Sequence, residues 1–245
     1  MKIHKPHQLK KKTIGILGGM GPGASANLYQ TIISIAQKKY GAEQDYDFPP
    51  MVIYSLPLIG FDETGITEPE SVKKQLVEGV KKLEKAGCDF IIIACNTVHI
   101  YQKNMQKAIN IPIVSMIEQA VKKAKNSDYK TVGVLSSSTT NKLKLYEKAL
   151  EKEKLVPVVI SPRQQQIVDG VILQVMLGKQ GKKEAEALNL IIQDLVKRKA
   201  EAVILGCTEI PLAINQSHTK TPLLNTIEII SEAALARAIL GKERL

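Results

Sequence analysis

The sequence predicts an α/β protein made of two pseudo-symmetric, Rossmann-like halves, each with a mostly parallel sheet, and a functional site in the cleft between them. Three observations predict this fold. Short β-rich runs alternate with helical patterns along all 245 residues, which is typical of βαβ units. The order of these runs then repeats later in the chain. Two of the repeated runs end in a cysteine, Cys95 and Cys207.

The alternation predicts eight strands and nine helices. The strands are expected near residues 13–17, 51–55, 89–94, 112–114, 130–135, 155–160, 201–206 and 222–224. The helices are expected near residues 23–39, 69–86, 97–108, 116–125, 139–150, 163–177, 182–198, 209–215 and 226–240. Strands separated by helical segments favour parallel pairing, because a parallel crossover needs a long connection.

Three landmarks occur twice, in the same order. The run KTIGIL at 12–17 returns as KTVGVL at 130–135. The cysteine strands follow, and after them the short strands at 111–114 and 221–224, each with a proline in its second position. The three offsets are 118, 112 and 110 residues. Matched landmarks at such similar offsets indicate two copies of one α/β unit.

The repeat divides the chain into segments. Residues 1–12 are expected to form a basic N-terminal tail. The first α/β half is predicted at 13–125 and the second at 126–225, with a linker turn at Asn126–Asp128. The last helix, within 226–245, is expected to pack back onto the first half. Ligands of open parallel sheets bind beyond the carboxyl ends of the strands, so both cysteines should line the cleft between the halves.

Composition excludes several classes of function. No apolar run reaches the roughly 18 residues that a membrane span needs, and the N-terminus lacks the apolar stretch of a signal peptide. A cytoplasmic protein that does not contact a membrane is therefore expected. Three cysteines do not form a disulfide framework. The net charge of +10 is spread along the chain and aromatic residues make up only 4%, so nucleic-acid binding is not predicted. The excess positive charge would help to attract an anionic small substrate.

The glycine-rich run Gly18–Gly23 follows the first strand. It departs from a dinucleotide-binding motif because Pro22 interrupts it and Ala24 occupies the last position, and no Gly-Lys-Ser/Thr follows as in a P-loop. Two interpretations remain: a tight strand–helix turn without a ligand, or a turn whose backbone N–H groups hold a carboxylate.

Cys95 and Cys207 are the candidate catalytic residues. Each follows an apolar strand and precedes polar residues at the start of a helix, where the helix dipole favours thiolate. Their alternative role is plain burial, which is common for cysteine. A zinc site is not favoured, because C-x2-C and H-x3-H spacings are absent. Cys88, before its strand, is interpreted as structural.

Three further features lie near the predicted cleft. His99, one helical turn after Cys95, either pairs with that thiol or fills local packing. Glu209, two residues after Cys207, either tunes that thiol or is a first-turn glutamate favoured by the helix dipole. The hydroxyl-rich run Ser136–Thr140 suits helix N-capping and also anchoring of a carboxylate.

Two thiols across a cleft support disulfide redox chemistry or two-base proton transfer. Redox pairs usually come as C-x-x-C, which is absent. In two-base chemistry a thiolate removes a proton from one face of a carbon and a thiol donates one to the other face, so configuration inverts. A modest downward shift from the reference thiol pKa of about 8.5 is expected to support this role. No lysine is marked out for pyridoxal phosphate, and no cofactor or metal is predicted.

Three segments resemble the aspartate/glutamate racemase family, and the aspartate racemase branch most of all: Gly18–Pro22, Ala94–His99 and Gly206–Pro211. The similarity covers about residues 12–240. It implies cofactor-independent racemisation of an acidic amino acid between two cysteines. It also implies two pseudo-symmetric α/β halves, and often a homodimer.

The resemblance also implies residue roles. Cys95 would act on the D-substrate and Cys207 on the L-substrate, while Asn96, Thr97 and Thr208 would hold the α-carboxylate and the amine. The remaining residues of the predicted substrate site are Met20, Gly21, Ser55, Ser137, Ser138 and Thr140.

One departure concerns the distal carboxylate of the substrate. Several aspartate racemases carry an arginine shortly after the second strand, and Ser55–Asp62 contains none. Arg163 follows a strand at the pseudo-equivalent position of the second half, and Lys179 matches a family lysine that contacts this carboxylate. Either is a candidate ligand or a surface charge.

The sequence therefore predicts an amino-acid racemase that interconverts L- and D-aspartate without a cofactor. The alternatives are a racemase or isomerase of another carboxylate, such as glutamate, and a non-catalytic amino-acid-binding homologue.

Overall fold

The computed structural model describes residues 11–62 and 65–241. The predicted basic tail at 1–12 lies outside the described residues except for Lys11 and Lys12. At the other end, the predicted last helix is described as far as Leu240, and residues 242–245 lie outside. In the described part of the chain, no helix is both long and apolar enough to cross a membrane.

All eight predicted strands form, and each lies within one residue of its predicted start and end. A separate two-stranded hairpin forms in addition. In chain order the strands are β1 (Ile14–Gly18), β2 (Met51–Ser55), β3 (Phe61–Asp62), β4 (Gly65–Ile66), β5 (Phe90–Ile93), β6 (Ile113–Val114), β7 (Thr131–Ser136), β8 (Val156–Val159), β9 (Ala202–Gly206) and β10 (Leu223–Asn225).

Two four-stranded sheets carry the fold, with orders β2-β1-β5-β6 and β10-β9-β7-β8. The two sheets have the same topology. When the strands of each sheet are numbered in chain order, the first lies between the second and the third, and the fourth pairs with the third. Every pairing in both sheets is parallel. The predicted repeat is therefore a repeat of topology, and the α/β fold class with two parallel sheets is confirmed.

The helices follow the predicted intervals. In chain order they are α1 (Pro22–Tyr40), α2 (Pro69–Lys85), α3 (Gln102–Lys107), α4 (Met116–Asn126), α5 (Ser138–Lys142), α6 (Leu145–Lys152), α7 (Pro162–Met176), α8 (Lys182–Lys197), α9 (Ile210–Ala213) and α10 (Thr226–Leu240). Proline occupies the first turn of α1, α2, α7 and α9, where its missing N–H costs no hydrogen bond.

Three local details differ from the sequence prediction. The helix expected at 139–150 is divided into α5 and α6, because Lys144 adopts a left-handed conformation with φ 54°. The segment expected as one helix at 97–108 begins as a 3-10 turn at Thr97–Tyr101. The β3–β4 hairpin was not predicted, because strands of two residues have no periodicity to read.

Each half contributes a helix to the core of the other. Helix α4 follows the first sheet in the chain, yet Ile117, Ala120 and Val121 pack with residues of the second sheet, including Val132 and Ile204. Helix α10 follows the second sheet but packs against the first.

The packing of α10 explains its composition. Ile227, Ile230 and Leu235 share a cluster with Ile14 and Ile16 of the first sheet. Its buried residues occur on all sides, since it lies against α1, α4 and the sheets. Burying an Ile or Leu side chain contributes about 1.5–3 kcal/mol, so this exchange holds the halves together and fixes the cleft.

Candidate active site

A cavity of about 190 Å³ lies at the carboxyl ends of the strands, between the two halves. Both halves line it, as the rule for open parallel sheets requires. The first half contributes Gly19, Met20, Gly21, Pro22, Phe61, Asp62, Cys95, Asn96 and Thr97. The second half contributes Ser137, Thr139, Asp169, Ile172, Met176, Cys207, Thr208 and Glu209.

The two cysteines enter the cavity from equivalent positions. Cys95 lies just beyond β5 and Cys207 just beyond β9, and each of these is the third strand of its half. The strands themselves are fully buried, so their ends are held rigidly. Cys88 precedes β5, at the other edge of the sheet, and packs in the core with Leu83 and Ile91.

Cys95 is held as a thiol by its surroundings. Its side chain is buried, and burial raises the pKa of this thiol to about 12. The backbone N–H groups of Val98 and Thr97 act in the opposite direction, while the charge of Glu209 raises the pKa further. The sequence predicted a modest downward shift from the helix start, but desolvation outweighs these N–H groups.

Cys207 is paired with Glu209. The thiol donates a hydrogen bond to Glu209 Oε2 over 3.0 Å, and Thr208 Oγ1 donates to the same oxygen over 3.0 Å. The other oxygen, Oε1, accepts from the backbone N–H of Gly21 at 3.4 Å. Burial and then the charge of Glu209 raise the pKa of Cys207 well above its usual value. Glu209 therefore connects the second thiol to the glycine-rich turn of the first half.

The glycine-rich turn is shaped by the backbone. Gly19 has φ 98°, a conformation that L side chains rarely adopt, and a Cβ there would overlap the backbone of Leu56. The N–H of Gly19 donates to Ser25 Oγ over 2.9 Å, and that hydroxyl donates to the carbonyl of Gly21 over 3.0 Å. This geometry brings Met20 and Gly21 into the cavity wall.

Asn96 presents an unpaired donor. Its side chain is 1% exposed and lines the cavity. The Tyr146 hydroxyl donates to Asn96 Oδ1, so the amide is oriented from behind. Nδ2 has no hydrogen-bond partner among the described residues. A buried N–H group without a partner is costly, and a ligand oxygen in the cavity would satisfy it.

A cluster of three hydroxyls joins the halves beside Asn96. Thr97 Oγ1 lies 2.8 Å from Thr140 Oγ1 and 3.3 Å from Ser137 Oγ, and Ser137 also caps the start of α5. Thr97 and Ser137 line the cavity, whereas Thr140 is buried behind them. Ser137 therefore caps a helix and also lines the cavity.

His99 serves the backbone. Its Nδ1 lies 2.8 Å from the carbonyl oxygen of Cys95, and its Nε2 accepts from the N–H of Met116 over 3.1 Å. With both nitrogens engaged, the ring is neutral, with the proton on Nδ1. Burial lowers the pKa of His99 to about 4. His99 thus ties the turn after Cys95 to the start of α4.

This neutral histidine makes stability depend on pH. The pKa is about 6.5 in the unfolded chain and about 4 in the folded chain. Its contribution is complete above pH 6.5 and is lost as pH falls towards 4. We expect this loss to reach about 2–3 kcal/mol. Urea unfolding at pH 7 and pH 4.5 should show a smaller decrease for His99→Gln than for the parent protein.

The exposed His218 provides the control. His218→Gln should keep the full decrease of unfolding free energy between pH 7 and pH 4.5. An unchanged decrease in His99→Gln would contradict the assigned role of the buried ring.

The structure brings most, but not all, of the predicted site residues to the cavity. Ser55, Ser138, Thr140, Arg163, Lys179 and His99 are not among the described residues that line it. Arg163 and Lys179 are exposed. Ser138 is engaged elsewhere, because its N–H and its hydroxyl both donate to Asp169.

The cavity also includes residues that the sequence analysis did not single out. Asp169, Ile172 and Met176 project from one side of α7. Their spacing of three and four residues was available in the sequence as one face of the predicted helix 163–177. Phe61 and Asp62 come from the unpredicted hairpin. Across residues 11–62 and 65–241, no group of three His, Cys, Asp or Glu side chains is arranged to hold a metal ion.

A family model described as Asp/Glu/Hydantoin racemase matches residues 17–234. The chain belongs to this family. Membership assigns it to the racemases, which are isomerases, and it confirms the resemblance seen in the three motif segments.

Relatives within the family share the whole fold. The "broad specificity amino-acid racemase RacX" of Bacillus subtilis (strain 168) is 30% identical over 223 residues, which cover 91% of this chain and 96% of the relative. A solved aspartate racemase homologue from Pyrococcus horikoshii OT3 superposes with a TM-score of 0.79 at 31% identity, over 94% of this chain and 99% of that one. The Picrophilus torridus aspartate racemase superposes with a TM-score of 0.80 at 28% identity, over 93% and 94%.

Proposed function

We propose that this racemase inverts the α-carbon of a free amino acid by proton transfer between Cys95 and Cys207. One observation carries the proposal: the two thiols come from equivalent strand ends of the two halves and line the same cavity. The volume of about 190 Å³ suits a small substrate. The homodimer, the cytoplasmic location and the division of the chain at residue 126 stay predictions of the sequence.

The reaction exchanges one proton for another. In the L-to-D direction the thiolate of Cys207 removes the α-proton, and the C–H electron pair stays on the substrate, delocalised into its carboxylate. The thiol of Cys95 then gives its proton to the opposite face. The product leaves Cys207 as a thiol and Cys95 as a thiolate, and the reverse reaction restores the first state. The assignment of each cysteine to one enantiomer follows the family resemblance.

Because the thiol pKa values are raised, the substrate and Glu209 must help to form the thiolate. Both cysteines are protonated in the free protein at neutral pH, so one proton must leave before catalysis. Glu209 Oε2 already accepts a hydrogen bond from the Cys207 thiol and can take that proton. The α-ammonium group of a bound amino acid favours the thiolate that forms, because an opposite charge lowers a thiol pKa.

Groups around the thiols suit an α-amino acid. Asn96 Nδ2 is a buried donor without a partner and fits an oxygen of the α-carboxylate. Thr97 and Thr208 line the same cavity as the two cysteines. Donors fixed at the cavity wall also stabilise the negative charge that develops when the α-proton leaves.

Exchange of the α-hydrogen with solvent is the decisive measurement. A panel of L- and D-amino acids in D2O, followed by proton NMR and chiral chromatography, should show deuterium at Cα together with inversion. Binding without exchange would instead identify the non-catalytic amino-acid-binding homologue.

Aspartate is the substrate that the resemblance predicts, and the similarity to the Picrophilus torridus aspartate racemase favours it. The broad specificity named for the Bacillus subtilis relative favours a wider range. Aspartate and glutamate therefore both belong in the panel.

The pairing of Glu209 with Cys207 predicts a change in thiol reactivity. The charge of Glu209 raises the pKa of Cys207, so Glu209→Gln should lower it. We expect alkylation of Cys207 by iodoacetamide at pH 8 to accelerate on the order of tenfold, since only the thiolate reacts. The rate should be measured in a Cys88→Ala, Cys95→Ala background, where Cys207 is the remaining thiol.

Glu201→Gln is the matched control, because Glu201 is exposed and contacts the backbone of Lys130 and Thr131. It should leave the rate of alkylation unchanged. Slower alkylation in Glu209→Gln would contradict the assigned role, because the charge of Glu209 and its hydrogen bond from the thiol both raise the pKa of Cys207.

A further inference from the structure

We infer that the racemase prefers amino acids with a cationic side chain, and that Asp169 is the residue that selects them. The inference rests on the proposed racemisation and names its substrate class, which replaces the aspartate that the family resemblance predicts. It comes from the charges and the shape of the cavity wall beyond the two cysteines.

The cavity wall is acidic. Three carboxylate side chains line it, those of Asp62, Asp169 and Glu209, and no lysine or arginine does among the described residues. An aspartate or glutamate substrate brings a second carboxylate besides its α-carboxylate. Among the described residues the wall offers that group no lysine or arginine, and like charges repel.

Glu209 is committed to the reacting centre. It accepts from Cys207, Thr208 and Gly21. Its charge therefore lies beside the thiol, where the α-ammonium group of any amino acid would be. Whether the proton stays on Cys207 or moves to Glu209, the pair carries one negative charge, which the α-ammonium group balances. The carboxylate of Asp169 is left for another part of the substrate.

Both carboxylate oxygens of Asp169 accept hydrogen bonds. Oδ1 accepts from the N–H of Ser138 over 3.0 Å and from Gln165 Nε2 over 3.0 Å, and Oδ2 accepts from the Ser138 hydroxyl. All three donors are neutral. None of the ion pairs in the described part of the chain involves Asp169. A cation in the cavity would complete this arrangement.

Asp169 also occupies the place that an acidic substrate would need. Ser138, which offers its N–H and its hydroxyl at the first position of α5, was predicted to help bind the substrate. Both point to Asp169. The carboxylate of Asp169 thus accepts from both donors of Ser138, and a substrate carboxylate would have to displace Asp169 to reach them.

The neighbours of Asp169 on α7 suit a long side chain. Ile172 and Met176 follow at spacings of three and four residues and line the same cavity. Ile172 is 7% exposed, and Met176 is 51% exposed at the outer end. Methylene groups would pack against this apolar strip while a terminal ammonium or guanidinium reaches a carboxylate, which is how lysine and arginine side chains usually lie.

The test compares three substrates in the same exchange assay. Norleucine has the four-carbon chain of lysine without the ammonium group. In the parent protein, we expect kcat/KM for L-lysine to be about tenfold higher than kcat/KM for L-norleucine. The kcat/KM for L-aspartate should be the lowest of the three. Asp169→Asn keeps the size of the side chain and an accepting oxygen. In this variant the ratio of kcat/KM for L-lysine to kcat/KM for L-norleucine should fall about tenfold, while kcat/KM for L-norleucine changes little.

Asp194→Asn is the matched control. Asp194 accepts from Gln164 of α7 but lies outside the cavity wall, so the ratio should stay unchanged. Preference for aspartate, or an unchanged ratio in Asp169→Asn, overturns the inference while racemisation itself stands. No exchange with any amino acid overturns the proposed function as well. Should Asp169→Asn fail to fold, a lysine-to-norleucine ratio of one or less in the parent protein is by itself enough to overturn the inference.

Discussion

Replacing either Cys95 or Cys207 by alanine is expected to reduce racemisation by at least about 10³-fold. Each thiol serves as the base in one direction and the acid in the other, and a positioned acid–base group contributes roughly 10²–10⁴-fold. Because L and D enantiomers have equal free energy in water, kcat/KM must fall equally in both directions. Racemisation rates alone therefore cannot assign a cysteine to a face of the substrate.

Isotope exchange makes that assignment. In Cys95→Ala, Cys207 remains to remove the α-proton of the L-enantiomer and to return a deuteron to the same face. We expect L-substrate to gain deuterium without inversion and D-substrate to stay unlabelled. Cys207→Ala should show the opposite pattern. Proton NMR for deuterium content and chiral chromatography for configuration measure both effects.

Cys88→Ala is the control for these variants. Its thiol is 4% exposed and lies before β5, away from the cavity, so its loss should affect stability and leave exchange and inversion intact. Full activity in the Cys95→Ala, Cys207→Ala double variant would exclude the two-thiol mechanism. Exchange of both enantiomers in a single variant would show that another group reaches the second face.

The sequence predicted the elements that repeat. Buried strands ending at Cys95 and Cys207 are local patterns of apolar residues, and their duplication places both ends in one cleft before any contact is known. The parallel order within each half follows from the alternation of strands and helices. The family resemblance then added Asn96, Thr97 and Thr208, which line the cavity.

Contacts between distant segments could not be predicted in the same way. Asp169 meets Ser138 across 31 positions, and Tyr146 meets Asn96 across 50. Arg163 illustrates the same limit. Asp169 lies six positions after Arg163, which corresponds to about 240° around a helix, so the two side chains project in different directions. Because Arg163 follows a strand, the sequence identified α7 as a helix beside the cavity. Only packing decides which face of α7 reaches the cavity.

Packing also decides how Asn96 is oriented, and this predicts a second large effect. Asn96→Ala removes the unpaired donor that we assign to the substrate and leaves the buried Tyr146 hydroxyl without its acceptor. We expect kcat/KM for racemisation to fall by about 10²-fold. Tyr146→Phe keeps the amide of Asn96 but removes the hydroxyl that holds the carbonyl oxygen of this amide. We therefore expect kcat/KM for racemisation to fall about tenfold.

The two changes should not be additive, because Tyr146 acts through Asn96. Tyr146 is fully buried and its ring lies against Gly206, where an added Cβ would come within 2.7 Å of it, so Phe fits the same space. In a double-mutant cycle, Tyr146→Phe should cost almost nothing further once Asn96 is alanine. Additive losses would mean that the hydroxyl of Tyr146 acts on the thiols directly, since the side chains of Cys207 and Cys95 both influence its pKa. Thermal unfolding of each variant separates either outcome from a loss of folded protein.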